Sequence, residues 1–327
     1  MKKTKILGTG SYLPKKVLTN EDLSKLVDTT DEWIVSRTGI RERRVVETGE
    51  TCSHLAHQAS LAALKMANVS VEEIDIIIFA TLSADQRLPG ASYLLQDKLK
   101  AKHASAFDIN AACSGFVFAL SIGDQFIKTG FAKKILVIGA EVLSRVLDWN
   151  DRSTCILFGD GAGAVVLGTT EAQEHAVLST HLFSNGSLHH LLEIPGGGTA
   201  NEWTAESFAR KEHFVKMTGK EVFKEAVESM TMASRIALEK GGLTIEDVDL
   251  FIPHQANERI IHAVAKKLKC PEKNIFLNLN KYGNTSAASI PIALDEAVRQ
   301  ERIKKGDLVL LASFGAGFSW GSSLLQW

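Results

Sequence analysis

Cysteine is scarce: the 327 residues contain only Cys52, Cys113, Cys155 and Cys270, with no CxxC pair and no metal-binding spacing. Thiols scattered in this way argue against a disulfide scaffold and for a reduced, cytoplasmic setting. Long apolar runs are also missing, and none approaches the ~20 residues needed to span a bilayer. Met1-Lys2-Lys3 is basic, but Gly8, Gly10 and Pro14 interrupt the segment after it, so no signal-peptide apolar region is expected. A net charge of -1 gives no global attraction to nucleic acid or to an anionic membrane. The glycine-rich stretch Gly159-Asp160-Gly161-Ala162-Gly163 lacks the GxGxxG helix setting and reads as a close-packed turn, not a dinucleotide loop. What the chain has is 45% hydrophobic residues, enough for a large core in two closely packed halves.

Strand and helix patterns alternate along it. Lys5 to Leu13 reads as a strand, Asn20 to Val27 as a short helix capped by Asn20, and Thr51 to Met66 as a longer helix. Further strands are expected at Ile74 to Thr81, Ala104 to Ile109, Ile135 to Gly139 and Ala164 to Gly168. Directly after Ile109 comes Asn110-Ala111-Ala112-Cys113-Ser114-Gly115. Beyond it Phe116, Ala119, Leu120, Gly123, Phe126 and Ile127 recur at helical spacing. Cys113 is therefore expected in a tight turn at a helix N-terminus, where free N–H groups and the helix dipole favour a thiolate. The same N–H groups could hold an oxyanion. Taken alone, a small cysteine here would be read as core. A base and an oxyanion partner elsewhere must overturn that.

The second half repeats the first. Ala63-Leu64 through Ile74-Asp75 lines up with Ala237-Leu238 through Val248-Asp249, and the pairs 63/237 and 74/248 are both 174 residues apart. Phe131 to Ile138 echoes Ile303 to Leu311 with one residue inserted, and Gly161-Ala162-Gly163 echoes Gly315-Ala316-Gly317. A duplication of this kind implies two similar α/β units, taken as residues 1–170 and 171–327. Ser184 to Lys216 has no counterpart and is expected to be a surface excursion. The repeat also locates partners for Cys113. Pro253-His254-Gln255-Ala256-Asn257 ends a buried strand, and Gly283-Asn284-Thr285-Ser286-Ala287 occupies the place of the cysteine turn. Ligands collect at strand carboxyl ends and helix N-termini in α/β sheets, so Cys113, His254 and Asn284 should meet between the halves.

Ala112-Cys113-Ser114-Gly115, the His254 and Asn284 motifs, and Gly315-Ala316-Gly317-Phe318-Ser319-Trp320-Gly321 closely resemble the β-ketoacyl-acyl-carrier-protein synthase III family. The resemblance runs from Gly8 to Trp327 and implies a thiolase-like five-layered α/β/α/β/α fold. It further implies an acyltransferase that condenses an acyl-CoA primer with malonyl-acyl-carrier-protein, starting fatty-acid synthesis. Elongating relatives pair the cysteine with two histidines; Asn284 at the third position points to the initiating type. On this resemblance Cys113 is the nucleophile, His254 and Asn284 hold the enolate, and the N–H groups of Cys113 and Ala316 form the oxyanion hole. Neither a metal nor a redox cofactor is called for, because acyl-CoA is a substrate.

The same resemblance implies that Trp33 and Arg152 sandwich the CoA adenine, with Arg37 and Thr38 at the nucleotide end. Gly219, Phe223 and Asn257 would line the pantetheine tunnel, but Lys220 replaces a common asparagine, so no contact is carried over there. Leu88 would reach the primer pocket across a homodimer interface, with Phe314 also at that pocket. Lys224, Gln255, Arg259, Lys266 and Lys267 would receive the acidic carrier protein. Two rivals are a specialised condensing enzyme that uses CoA for both substrates and a catalytically inert partner subunit. The intact Cys113, His254 and Asn284 argue against the second. A cysteine protease with the same three residue types is disfavoured by the duplication.

Overall fold

The computed structural model describes residues 2–170 and 176–327. The first sheet is built from β1 (Lys3–Tyr12), β2 (Ile76–Ala80), β3 (Ser105–Ile109), β4 (Lys134–Glu141) and β5 (Gly161–Thr170), in the order β1-β5-β4-β2-β3. Strands β4, β2 and β3 run parallel, and β5 is antiparallel to both β4 and β1. The second sheet repeats the plan with β6 (Ala176–Ser184), β7 (Leu250–Pro253), β8 (Leu308–Gly315) and β9 (Ser319–Gln326), in the order β7-β8-β9-β6. A lone bridge from Phe251 to Ile275 marks where the fifth strand would lie.

Helix chemistry explains the layering. α3 (Gly115–Thr129) and α6 (Ser289–Arg299) carry apolar residues over most of their surface, so both must be covered on two sides. One continuous core accordingly joins Ile78, Val137 and Leu167 of the first sheet to Val309, Leu311 and Leu325 of the second, through Phe116, Leu120, Ile290 and Leu294. The outer helices are one-sided. α2 (Cys52–Ala67) packs Leu55, Ala59 and Ala63 on the first sheet, and α4 (Gly219–Gly241) with α5 (Glu258–Leu268) covers the second. The order is helix, sheet, helix, sheet, helix, five layers as the repeat implied.

Local signals mostly hold. Thr51 caps α2 by accepting the His54 N–H. Near the N-terminus the cap is Thr19, not Asn20; Thr19 and Asp22 form a reciprocal capping box. Asn20 is instead buried, donating to Ile40 O and Asp31 and accepting from Arg43. Residues 31–41 prove to be largely helical, α1 (Asp31–Thr38). The Gly159 to Gly163 segment is a packing device: a Cβ on Gly159 would lie 2.3 Å from Tyr282 O, and on Gly163 2.6 Å from Ile292 N. Ser184 to Lys216 is more than a surface excursion, since part of it forms a wall of the site.

Candidate active site

The Cys113 and Asn284 turns are related by the internal repeat. Ala112-Cys113-Ser114 and Ser286-Ala287-Ala288 are both single 3-10 turns preceding α3 and α6, and each begins at positive φ, 45° at Ala112 and 49° at Ser286. Each is locked by an asparagine two residues earlier: Asn110 Oδ1 accepts the Ala112 N–H (3.2 Å) and Asn284 Oδ1 the Ser286 N–H (2.8 Å). Two glycines let the turns of opposite halves approach the strands. A Cβ on Gly315 of β8 would sit 2.7 Å from Cys113 N, and one on Gly139 of β4 2.2 Å from Ala287 O. Cys113 and Asn284 are therefore brought together by the symmetry of the duplication.

His254 leaves β7, its N–H bonded to Ala312 O (2.8 Å), with its Nδ1 2.5 Å from Ser289 Oγ at the start of α6. Ser289 Oγ also receives the Gln255 N–H (3.4 Å); with the Ser289 proton directed at Nδ1, Nε2 carries the ring hydrogen. Asn284 is handed in the same way: its Oδ1 is occupied by Ser286 N–H, which leaves the Nδ2 amide as the free end. Cys113, His254 and Asn284 all line one cavity of about 100 Å³, with Phe223, Asn257 and Phe314. Two neutral donors thus share a narrow space with a sulfur.

The thiolate expected at Cys113 is not favoured in this site. Burial pushes its pKa up to about 12, with the Glu141 carboxylate adding to the rise and the Ser286 hydroxyl opposing it. The helix terminus is present, but desolvation of the anion outweighs it. Burial also pushes His254 down to about 3, so it is a neutral donor at physiological pH.

On the other side of Cys113 a second cavity, of about 500 Å³, is lined by Leu82, Leu143, Phe158, Leu192, Ile194 and Val215 together with Ala316 and Ser286. Leu192, Ile194 and Val215, and His189 beside them, belong to the 184–216 segment expected on the surface; its apolar positions are the signal of burial there. Phe314 does not line this cavity: it stacks on Phe318 and lines the smaller one with Cys113, His254 and Asn284. Leu88 lies on an exposed loop, 86% accessible, and touches neither cavity of its own chain.

The remaining expectations divide. The guanidiniums of Arg37 and Arg152 lie 4.6 and 4.8 Å from the Trp33 ring centre. Arg152 contacts the ring directly, so no base fits between them without displacing it; it is tethered to Asp28 O at 2.6 Å. Thr38 is not available to a nucleotide, because its buried hydroxyl donates to Ile34 O and accepts the Ile40 N–H. Thr29, which sequence reasoning passed over, has a buried hydroxyl with no partner next to Asp28. Asn257 caps α5 and ties it to α1 through Arg37 O (3.0 Å), while Gly219 and Phe223 line the smaller cavity beside it. Lys224, Arg259, Lys266 and Lys267 are exposed on α4 and α5, with Arg259 over Phe223 (5.7 Å) and Lys267 paired with Glu228. Gln255 is not part of that surface. It is 1% exposed, and its amide bonds Pro253 O, Phe276 O and Asn278 N, bracing the loop that carries His254.

Residues 107–186 and 238–327 match the two 3-oxoacyl-[acyl-carrier-protein] synthase III families, the second described as the C-terminal one. The chain is 53% identical over 324 residues to the β-ketoacyl-[acyl-carrier-protein] synthase III of Aquifex aeolicus, covering 99% of both. The chain belongs to this family. The crystal structure of the Aquifex aeolicus protein superposes with a TM-score of 0.92, covering 99% of this chain and 100% of that one. The priming β-ketosynthase of the R1128 polyketide pathway superposes at 35% identity and a TM-score of 0.91, covering 98% and 96%. The family resemblance carried by the cysteine, histidine and asparagine motifs therefore extends over the fold, and the protein is an acyltransferase of the condensing type.

Proposed function

We propose that the protein condenses an acyl-CoA primer with malonyl-acyl-carrier-protein, losing carbon dioxide and giving a 3-oxoacyl-acyl-carrier-protein that starts fatty-acid synthesis. The observation that carries this reading is the pair of neutral donors, His254 Nε2 and Asn284 Nδ2, in one cavity with Cys113. Cys113 sulfur attacks the primer thioester; the new S–C bond forms as CoA departs. Malonyl decarboxylation then places its electron pair on the thioester as an enolate, whose oxygen the two donors hold. The carbanion attacks acyl-Cys113, the N–H groups of Cys113 and Ala316 receive the tetrahedral oxyanion, and the cysteine is released.

The two cavities suit two directions of entry. The larger, apolar one takes the primer chain, and the narrow one, opening past Asn257 and Phe223, takes the pantetheine arms. Trp33, Arg37 and Arg152 receive the nucleotide end of CoA, with Arg152 swinging off the indole to admit the base. Lys224, Arg259, Lys266 and Lys267 meet the carrier protein. A homodimer brings the partner copy's exposed loop to the primer cavity. With these substrates the enzyme works in the cytoplasm.

Intact-mass spectrometry after incubation with a panel of acyl-CoAs, wild type beside Cys113→Ser, tests the nucleophile. One acyl group on Cys113, transferred on to malonyl-acyl-carrier-protein, is the expected result. Transfer to malonyl-CoA with equal efficiency would favour the specialised condensing enzyme, and no acylation from any donor would sink the condensation.

A further inference from the structure

Glu141, the last residue of β4, is a wholly buried carboxylate for which the condensation scheme has no use. It is heavily hydrogen-bonded: Thr81 Oγ1 (3.1 Å), the N–H groups of Leu82 and Ser83, the Ser83 hydroxyl, and Ser286 Oγ (3.1 Å) all donate to it. No lysine, arginine or histidine is paired with it among the described residues. The titratable groups that face it are thiols: Cys52, from the start of α2, which bonds Ala140 O and Thr81, and Cys113. Asp85 and Asp108 lie beyond Cys52 and are bound to the amides of Ser53 and of Ala91 and Ser92.

Ser286 is the link. It donates a hydrogen bond to Glu141 and is also the hydrogen-bond partner of Cys113, with which it shares the larger cavity wall. We propose that Glu141, acting through Ser286, is the positioning residue that accepts the Cys113 proton during acylation and returns it afterwards. This rests on the condensation reading above. As Cys113 sulfur bonds the acyl carbon and the carbon–sulfur bond to CoA breaks, the thiol proton passes to Ser286 Oγ and the Ser286 proton to Glu141. CoA leaves as its thiolate and takes a proton from water. In the second half-reaction the malonyl carboxylate leaves as carbon dioxide, the carbanion displaces Cys113, and the Glu141 proton returns through Ser286 to the sulfur.

Three features favour this route over His254. The imidazole is held as a donor to the enolate and burial keeps it from taking a proton, whereas burial raises Glu141 to about 7. Moving the proton also removes the carboxylate charge that opposes the Cys113 anion. Finally, the turn geometry does not itself call for a serine at 286, because the repeat has alanine, Ala112, at the equivalent position.

The test is single-turnover acylation by acetyl-CoA, read by intact mass from acid to alkaline pH, with malonyl-carrier-protein decarboxylation measured in parallel. In the wild type the acylation rate should rise with pH through one inflection near neutrality. Glu141→Gln and Ser286→Ala should each lose that inflection and acylate at least ten-fold more slowly, and Glu141→Asp should recover part of both. Wild-type pH profiles in both variants, or equal loss of acylation and decarboxylation, would overturn the proposal. Absence of acylation in the wild type would instead strike the condensation reading itself.

Discussion

Removing the Ser289 hydroxyl should separate the two half-reactions. Ser289→Ala deletes the donor to His254 Nδ1 (2.5 Å) and leaves that buried nitrogen without a partner. A buried polar atom left unsatisfied costs about 1–3 kcal/mol. Two tautomers then compete, and only the one protonated on Nε2 can donate to the enolate oxygen. If the cost is expressed where the enolate forms, decarboxylation slows between about 5-fold and about 150-fold. That range lies mostly below the ~10²–10³-fold expected for removing the donor outright by His254→Ala. Acylation of Cys113 does not use the imidazole and should stay within about two-fold of wild type. The assay is carbon dioxide release from malonyl-acyl-carrier-protein beside single-turnover acylation. Wild-type decarboxylation in Ser289→Ala, or parallel loss of both half-reactions, would refute the tautomer argument.

The same contacts set other outcomes. Gly139→Ala puts a Cβ 2.2 Å from Ala287 O, so the Asn284 turn must move; overpacking of about 1–3 kcal/mol should lower Tm by several degrees, with decarboxylation lost more than acylation. His254 binds a proton in the unfolded chain below its ordinary 6.5 but in the folded one only near 3. Stability should therefore fall as pH drops from 6.5 towards 3, and thermal melts of His254→Asn should show a shallower acid loss. Trp33→Ala removes the ring on which Arg37 and Arg152 rest; it should raise KM for acyl-CoA by roughly ten-fold and leave that for the carrier-protein substrate nearly unchanged, measured by steady-state kinetics. Arg259→Glu should do the reverse, raising KM for malonyl-acyl-carrier-protein with a steeper response to salt than Lys267→Glu, because Lys267 is already paired with Glu228.

Local chemistry and the repeat made much of this enzyme legible before any coordinates. Alternating strand and helix periods set the layers, and the constant spacing between halves led from the Cys113 turn to the Asn284 turn and to His254 at the end of an equivalent strand. Those features depend on neighbours in sequence, which is why they can be read there. Protonation could not be. Whether Cys113 is thiol or thiolate turns on how much water the whole fold removes from it, and burial overrode the helix terminus. Orientation was equally out of reach: Gln255 looked like a surface contact beside His254, yet residues 253, 276 and 278 close around its amide. The partners that hand His254 and Cys113, Ser289 and the pair Ser286 and Glu141, are small or ordinary residues up to 145 positions from what they touch. Their significance arises only when two sheets and the helices between them bring distant turns into hydrogen-bonding distance. Composition and spacing determined which elements form and where Cys113 sits. Tertiary packing decided who holds the protons, because desolvation and hydrogen-bond pairing are properties of the assembled interior.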